Sequence, residues 1–439
     1  MPAMTETIKS VVEELYGLHR TLVSEGFDEG LEVLRRRLPK AAGFWIEEFP
    51  CGQERWTWEV PPRYEVQEAY LEVEGGRRIV DFKENCLHLV SYSEPVDLTL
   101  TFDELRPRLH FSEKRPDAIP WMFKYYDKTW GFCLSKKVFD SLPRDKRYRA
   151  VIRARFQDAP GLKVGIGLLH PEGGPPPGGE EVVVSAHLCH PRQANDNASA
   201  VAVGVELAKR LAAKPLPSGS ASVRFLFQPE TVGTVCWMSG HEDLIPRLRS
   251  AVILESIGNR NTLAVQHSWP GGAIIDRVTD AVVPPIAPGV RLLDAWAIFS
   301  ADEKVLNGPG VGVPSIMMTR APYDEYHTSD DAPGIIDEAM LEEAVRAAEA
   351  VVRIVASDYY PKRNFKGPVH LSRHGLWIDH HQDRPRSLLN QKLMLHFEGR
   401  RSLFEISQEL GADYWTVRDL AERYRAKGLI TALPRGELA

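Results

Sequence analysis

One apolar run that ends in a histidine limits the folds open to this chain more than any other feature. Residues 182–186 read Val-Val-Val-Ser-Ala, and His187 follows directly. A short continuous apolar run of this kind is typical of a strand buried on both faces of a parallel sheet. Residues 194–199 then read Ala-Asn-Asp-Asn-Ala-Ser and open an amphipathic segment that runs to about residue 213. We therefore expect an open α/β sheet with its chemistry where strands end and helices begin.

Acidic residues and another histidine follow further strand-like segments. Residues 222–227 lead to Glu230, and residues 251–254 lead to Glu255. His327 lies in a polar loop after the apolar residues 314–318. Imidazole and carboxylate groups from separated segments are the ligands of a catalytic zinc ion, which keeps one position open. Asp196 is expected at the start of a helix, where an ionised carboxylate is favoured and could bridge two cations.

The order of these residues resembles the bacterial leucyl aminopeptidase family of zinc exopeptidases, in clan MH. The resemblance covers residues 181–357. It implies a mixed sheet flanked by helices and one or two zinc ions held by His187, Asp196, Glu255 and His327. It also implies that Glu230 is the general base, and that the substrate is the N-terminal amide of a small peptide or aminoacyl compound.

The chain departs from the family pattern in three places. The family has His-x-Asp where this chain has Cys189 after His187-Leu, so the carboxylate that orients the histidine is missing or comes from elsewhere. His190 is a second imidazole close by, and either histidine could be the ligand. The family's Glu-Glu pair is Glu230-Thr231 here. The ligand position then holds Thr231, which weakens one metal site and leaves a single zinc ion possible.

Further polar residues are candidates for contacting the substrate or supporting the ligands. They are Cys189, Thr231, Asp302, Glu303 and Tyr326. Asp302 and Glu303 have an ordinary alternative, because acids are favoured at the start of a helix. Glu255 could likewise be a plain strand end, and His187 a hydrogen-bonded core histidine.

The layout of the whole chain is similar to that of little-characterised bacterial proteins described beside polysaccharide-biosynthesis genes. In them an aminopeptidase-like domain carries an inserted β-rich domain and ends in a winged helix. We accordingly predict a catalytic domain of residues 1–43 and 130–360, an inserted antiparallel β domain of residues 44–129, a linker of residues 361–386 and a winged helix-turn-helix of residues 387–439. A helix at residues 415–425 would enter a DNA groove if DNA were bound. Because Asp419 and Glu422 balance its cations, a packing role is favoured.

Composition excludes several classes of protein. A net charge of −6 argues against a chain built to coat nucleic acid. The five cysteines form no Cys-x-x-Cys pair, so they predict neither a disulfide framework nor a structural zinc finger. We find no signal-peptide layout and no apolar run long enough to span a membrane. A cytoplasmic protein without a membrane partner is therefore expected, and a homo-oligomer stays open.

Two other functions compete with an aminopeptidase. A degenerate peptidase domain could act as a ligand-sensing regulator with a DNA- or protein-binding winged helix, which the loss of half the Glu-Glu pair favours. A zinc amidase acting on a sugar or a modified amino acid would use the same site. The sequence alone does not separate these substrates.

Overall fold

A computed structural model describes residues 7–176 and 178–433. The strands in chain order are β1 Trp45–Phe49, β2 Glu54–Arg55, β3 Trp58–Glu59, β4 Arg63–Val73, β5 Arg77–Asp81, β6 Val96–Thr101, β7 Leu109–His110, β8 Phe132–Cys133, β9 Arg147–Gln157, β10 Leu162–Leu169, β11 Glu181–His187, β12 Ser222–Gln228, β13 Leu248–Glu255, β14 Ala264–Gln266, β15 Arg291–Leu293, β16 Ser315–Thr319, β17 Tyr360–Arg363 and β18 Ile430–Leu433. The α-helices are α1 Ile8–Tyr16, α2 Glu25–Arg37, α3 Phe102–Leu105, α4 Lys136–Asp140, α5 Ala200–Ala213, α6 Val232–Gly240, α7 Ile274–Val282, α8 Glu303–Leu306, α9 Glu338–Ser357, α10 Leu371–His374, α11 Arg384–Leu393, α12 Leu403–Glu409 and α13 Tyr414–Arg425.

An eight-stranded mixed sheet forms the centre of the protein, in the order β1-β10-β12-β11-β13-β16-β14-β15. Its four middle strands, β12, β11, β13 and β16, are parallel to one another. All seven residues of β11 are buried, as the apolar run predicts for the centre of a parallel sheet. The carboxyl ends of these strands therefore meet at one edge of the sheet.

Helices cover this sheet and complete its core. The long helix α9 packs against α5, α7 and α1, and both α5 and α9 contact the central strands. Two helices precede the first strand. The first, α1, ends before Gly17, and the second, α2, is capped by Ser24, whose hydroxyl accepts the N–H of Phe27. The expected mixed sheet flanked by helices is confirmed.

A separate antiparallel sheet has the strand order β5-β4-β9-β6. It draws its strands from residues 63–157, so it extends past the boundary expected at residue 129. At the other boundary, β1 pairs with β10 in the large sheet although it lies after residue 44. The sequence pattern predicts where short strands lie, but it does not show which sheet each strand joins, because the strands that pair with one another are distant in sequence. The domain boundaries therefore differ from the predicted ones.

The C-terminal part of the chain contains α11, α12 and α13 and an antiparallel pair, β17 with β18. Arg418 of α13 is buried and donates to the carbonyl of Ser357 at the end of α9. This segment is thus packed on the domain that holds the large sheet. Among the described residues, no helix is both long enough and apolar enough to cross a membrane.

Candidate metal centre

The parallel strands bring three of the predicted residues to one edge of the large sheet. His187 is the last residue of β11, and Glu255 is the last residue of β13. Glu230 follows shortly after the end of β12. Because β11 lies between β12 and β13, the three side chains start from adjacent strand ends.

Asp196 reaches the same edge from the kinked turn Ala194–Ser199 that precedes α5. The buried carboxylate of Asp331 holds this turn: it accepts the main-chain N–H of Asn195 at 2.6 Å and that of Asp196 at 3.1 Å. The hydroxyl of Tyr323 donates to the same carboxylate at 2.7 Å. Sequence reasoning assigned no role to Asp331, although it lies in the polar loop that also contains His327.

Asp196 is the centre of the cluster, and its two oxygens face different imidazoles. Its Oδ1 lies 3.4 Å from His187 Nε2 and 3.1 Å from His190 Nδ1, while its Oδ2 lies 3.0 Å from His327 Nε2. Ligand atoms of His187, Asp196 and Glu255 lie within 4.8 Å of one another. Those of His190, Asp196 and His327 do so as well. Two potential metal-binding groups therefore share one carboxylate.

Glu255 belongs to the first group and is fixed from both sides. Its Oε2 lies 2.9 Å from His187 Nε2 and accepts the side-chain N–H of Asn197 at 3.2 Å. Its Oε1 accepts the hydroxyl of Ser256 at 2.9 Å. The predicted placement of this residue at a strand end thus gives a carboxylate oriented toward the histidine.

Burial and close charges shift the pKa values in the cluster. Burial lowers the pKa of His187, but Glu255, Cys189 and Glu230 together outweigh it and raise that pKa well above its usual value. Burial raises the pKa of Glu255 to about 8 and lowers the pKa of His190 to about 3. Burial works to raise the pKa of Asp196, but the imidazoles of His190 and His327 hold it well below its usual range.

Glu230 lies on the open side of the cluster. Its side chain is 28% exposed, whereas that of Asp196 is 1% exposed. Its Oε2 lies 3.6 Å from His190 Nε2, and its main-chain N–H donates to the sulfur of Cys189 at 3.2 Å. Burial raises the pKa of Glu230. A carboxylate with these properties can reach a substrate that enters from outside.

Among the described residues, no carboxylate partner meets His187 on its far side, which is the first of the two alternatives that the sequence left open. Its Nδ1 is buried, and within the described part of the chain no nitrogen or oxygen atom hydrogen-bonds to it. The sulfur of Cys189 lies within 4.8 Å of a ring nitrogen of this histidine. The thiol therefore lies beside this imidazole, at the sequence position where the family resemblance leads one to expect an aspartate.

Asp302 supports the turn that carries Glu230. It is fully buried and accepts the main-chain N–H of Thr231 at 2.8 Å, the hydroxyl of Thr234 at 2.7 Å and the side-chain amide of Gln228 at 2.9 Å. Thr231 lies directly before the first residue of α6 and has a positive φ of 60°, which few residues other than glycine adopt. The two predicted supporting residues thus meet each other beside the base candidate.

Glu303 lies next to Asp302 in sequence but is held differently. One of its carboxylate oxygens accepts the N–H of Ala301 at 2.9 Å, and the other is buried without a hydrogen-bond partner. Burial raises the pKa of Glu303 to about 7. Among the described residues, no hydrogen bond or ion pair connects Glu303 to the histidine cluster.

Aromatic rings enclose the two histidines of the second group. The indole of Trp121 packs edge-on against His190 and His327, with ring centroids 4.3 and 4.7 Å away. Tyr326 stacks on His327 at 3.8 Å and is 43% exposed. Tyr326 is among the supporting residues that the sequence predicts, because it lies directly beside His327. The sequence does not predict the contact of Trp121 with these histidines, since no local pattern marks a contact between residues so far apart.

The fold and the site together define a peptidase-like protein. The structure is similar to that of BSAP, a zinc aminopeptidase from Bacillus subtilis, with a TM-score of 0.59, 17% identity and coverage of 79% of this chain and 94% of that one. It is also similar to an M28 peptidase precursor from Shewanella amazonensis, with a TM-score of 0.56, 15% identity and coverage of 80% and 93%. At these identities the likeness is one of fold.

The chain belongs to the family described as a domain of unknown function (DUF4910), whose model matches residues 9–358. The crystal structure of a provisionally named peptidase from Clostridium acetobutylicum has a TM-score of 0.82 and 28% identity, with coverage of 97% of this chain and 96% of that one. A curated protein of the same species, provisionally named a polysaccharide biosynthesis protein with an aminopeptidase-like domain, is 29% identical over 421 residues, or 94% of each chain. The peptidase likeness is confirmed, whereas the leucyl aminopeptidase assignment stays a prediction.

Proposed function

We propose that this protein is a zinc-dependent hydrolase, most simply an aminopeptidase that cleaves the N-terminal amide of a small peptide or aminoacyl compound. The observation that carries the proposal is the sharing of Asp196 by two groups of buried ligand atoms. The peptidase fold of the similar structures supports it.

The residues of the cluster fit zinc, which takes imidazole nitrogen and carboxylate oxygen. His187 and Glu255 would hold a cation on one side of Asp196, and His327 lies on the other side with His190 next to it. The ion pairs of the described residues join these carboxylates only to histidines, not to lysine or arginine. Buried carboxylates need compensating positive charge, and a divalent cation supplies it.

Glu230 is the proposed general base. A bound zinc ion lowers the pKa of a coordinated water and polarises a scissile carbonyl. Glu230 takes the proton from the attacking water and returns it to the leaving amine. Burial shifts the pKa of Glu230 upward, which is the direction that favours a general base, because proton transfer becomes more efficient as the pKa of the base approaches the working pH.

A second candidate function keeps the site and changes the substrate. The provisional name of the Clostridium acetobutylicum relative refers to polysaccharide biosynthesis. This makes a zinc amidase that acts on a sugar or a modified amino acid the second candidate. The chemistry proposed for Glu230 is the same in both cases.

The regulator alternative receives less support. We propose that the described part of the predicted winged helix, residues 387–433, has this fold and packs on the catalytic domain; residues 434–439 of that prediction lie outside the described residues. Arg418 of its third helix, α13, is directed at Ser357, and Arg425 pairs with Glu422 on the same helix. Cations engaged in this way are poorly placed to contact phosphates, so a structural role for α13 is favoured.

A hydrolysis screen tests the proposal. Zinc-loaded protein is assayed with aminoacyl amides, dipeptides and N-acyl sugars, before and after treatment with a chelator. We expect turnover of at least one class, loss of turnover on chelation and recovery when zinc is returned. The Asp196→Asn variant should lose turnover. The Asp324→Asn variant, which changes an exposed acid three residues before His327, should keep it. Turnover that survives chelation, or none with any class, would contradict the proposal.

A further inference from the structure

We propose that His190 replaces the glutamate that this chain lacks and completes a second cation-binding position with Asp196 and His327. The inference rests on the proposed function, since it assumes that the first group binds a metal ion. It implies a site for two divalent cations, rather than the single zinc ion that the loss of the second glutamate would suggest.

The three proposed ligands meet around one point. Their ligand atoms lie within 4.8 Å of one another. A single ion with bonds of about 2.0–2.2 Å spans ligand atoms up to about 4.4 Å apart, so side-chain shifts of a few tenths of an ångström at most would bring the three ligands onto one ion. His327 approaches Oδ2 of Asp196 at 3.0 Å, and His187 approaches Oδ1 at 3.4 Å. His190 approaches Oδ1 as well, at 3.1 Å, so Oδ1 faces one imidazole of each group while Oδ2 faces His327. Two imidazoles and one carboxylate also leave a position open for water or substrate.

Thr231 does not fill the place of the missing ligand. Its side chain offers only a neutral hydroxyl, which is not among the usual zinc ligands Cys, His, Asp and Glu. Its main-chain N–H is held by Asp302 at 2.8 Å. The imidazole of His190 is not used by the first group, and its Nε2 lies 3.6 Å from Glu230 Oε2. His190 therefore lies beside the residue that directly precedes the missing second glutamate in sequence.

Packing holds His190 in this position. Its ring lies edge-on to Trp121 at 4.3 Å and edge-on to His187 at 4.4 Å, and it is 4% exposed. The indole of Trp121 is fixed in turn by a hydrogen bond from its Nε1 to the hydroxyl of Ser91 at 3.2 Å. A ligand oriented before the metal arrives loses little side-chain entropy on binding.

Metal counting tests this inference without reference to catalysis. Because Asp379, His380 and His381 form a further possible group, we would use a background with His380→Ala and His381→Ala. The metal-free protein is titrated with zinc by calorimetry, and its zinc content after dialysis is measured by mass spectrometry. We expect two equivalents per chain in this background and one in the His190→Gln variant.

Two controls make the count specific. His267→Gln removes a histidine that pairs with Asp280, outside both groups, and should keep two equivalents. Thermal unfolding in chelator should show that His190→Gln folds normally, and His190→Ala should give the same count if the glutamine amide does not bind. A background protein that binds one equivalent, or a His190 variant that still binds two, would overturn the inference while the proposed function stands. A background protein that binds none would overturn both.

Discussion

The main-chain N–H of Trp121 donates a hydrogen bond of 2.7 Å to the carbonyl oxygen of His327. The same stretch makes a second main-chain bond, from Ser329 N–H to the Ile119 carbonyl at 2.8 Å. His327 has a positive φ of 55°, so its loop needs support from neighbouring chain. The segment from Ile119 to Trp121, which lies in sequence between strands β1 and β10 of the large sheet, thus holds the loop that carries a proposed metal ligand, His327.

Trp121→Ala should therefore destabilise the protein and weaken zinc binding. Trp121 is 2% exposed, and truncation of a buried tryptophan costs about 3–5 kcal/mol. Trp58, at 37% exposed, provides the matched control: its replacement by alanine should change the free energy of unfolding by no more than about 0.5 kcal/mol. Denaturant unfolding and zinc titration measure both effects. Equal losses in the two variants would contradict this role of Trp121.

Glu230→Gln should keep the bound zinc and lower kcat by about 10²–10⁴-fold. The amide preserves the shape of the side chain but cannot take a proton from water. Zinc content and steady-state rates are measured on the same preparation, with the exposed Glu172→Gln variant as control. A rate equal to that of the wild type would show that another group is the base, and loss of zinc would show that Glu230 is a ligand.

Asp331→Asn should weaken zinc binding by about 10–100-fold, the usual effect of losing a residue that orients a metal ligand. The substitution places an amide opposite the N–H groups of Asn195 and Asp196, which the carboxylate now accepts. Asp330→Asn changes the neighbouring acid, a partly exposed partner of Arg115, and should cost at most about 1 kcal/mol of stability. Zinc titration of both variants checks this, and unchanged affinity in Asp331→Asn would refute it.

Glu303 makes stability depend on pH. Burial raises its pKa from 4.5 to about 7, so over this interval the unfolded chain has lost a proton that the folded chain keeps. The free energy of unfolding of the wild type should fall as the pH rises through this window. Glu303→Gln lacks the titration and should gain up to about 3 kcal/mol relative to the wild type.

The pH effect is measured by denaturant unfolding at pH 4.5, 6 and 7.5, with chelator in all samples so that metal binding does not contribute. Only the difference between variant and wild type is compared, which removes the titration of the other site residues. Exposed Glu113→Gln should show no such trend. A difference that stays constant with pH would contradict a raised pKa at Glu303.

Much of the candidate site could be predicted because its residues lie at the ends of segments with clear patterns. The apolar runs before His187 and Glu255 predict parallel strands, and parallel strands place their ends together. The turn that carries Asp196 could be found from its own sequence. These inferences depend on local periodicity and one general rule of sheet architecture.

Other features depend on contacts between distant residues, which no local pattern shows. The alternative between His187 and His190 is one example, since the structure places both around Asp196. The packing of Trp121 against two histidines is another. The support of Thr231 by Asp302 joins residues 71 positions apart. Such pairings follow from the complete fold.

Anomalous diffraction at the zinc absorption edge, from crystals grown with zinc, tests the central claim most directly. If two zinc ions share Asp196, two peaks should lie on opposite sides of its carboxylate, separated by about 3.5–4 Å, as in other two-metal sites. One should lie beside His187 and the other beside His327. The absence of any peak at Asp196, with zinc found only at other positions, would contradict it.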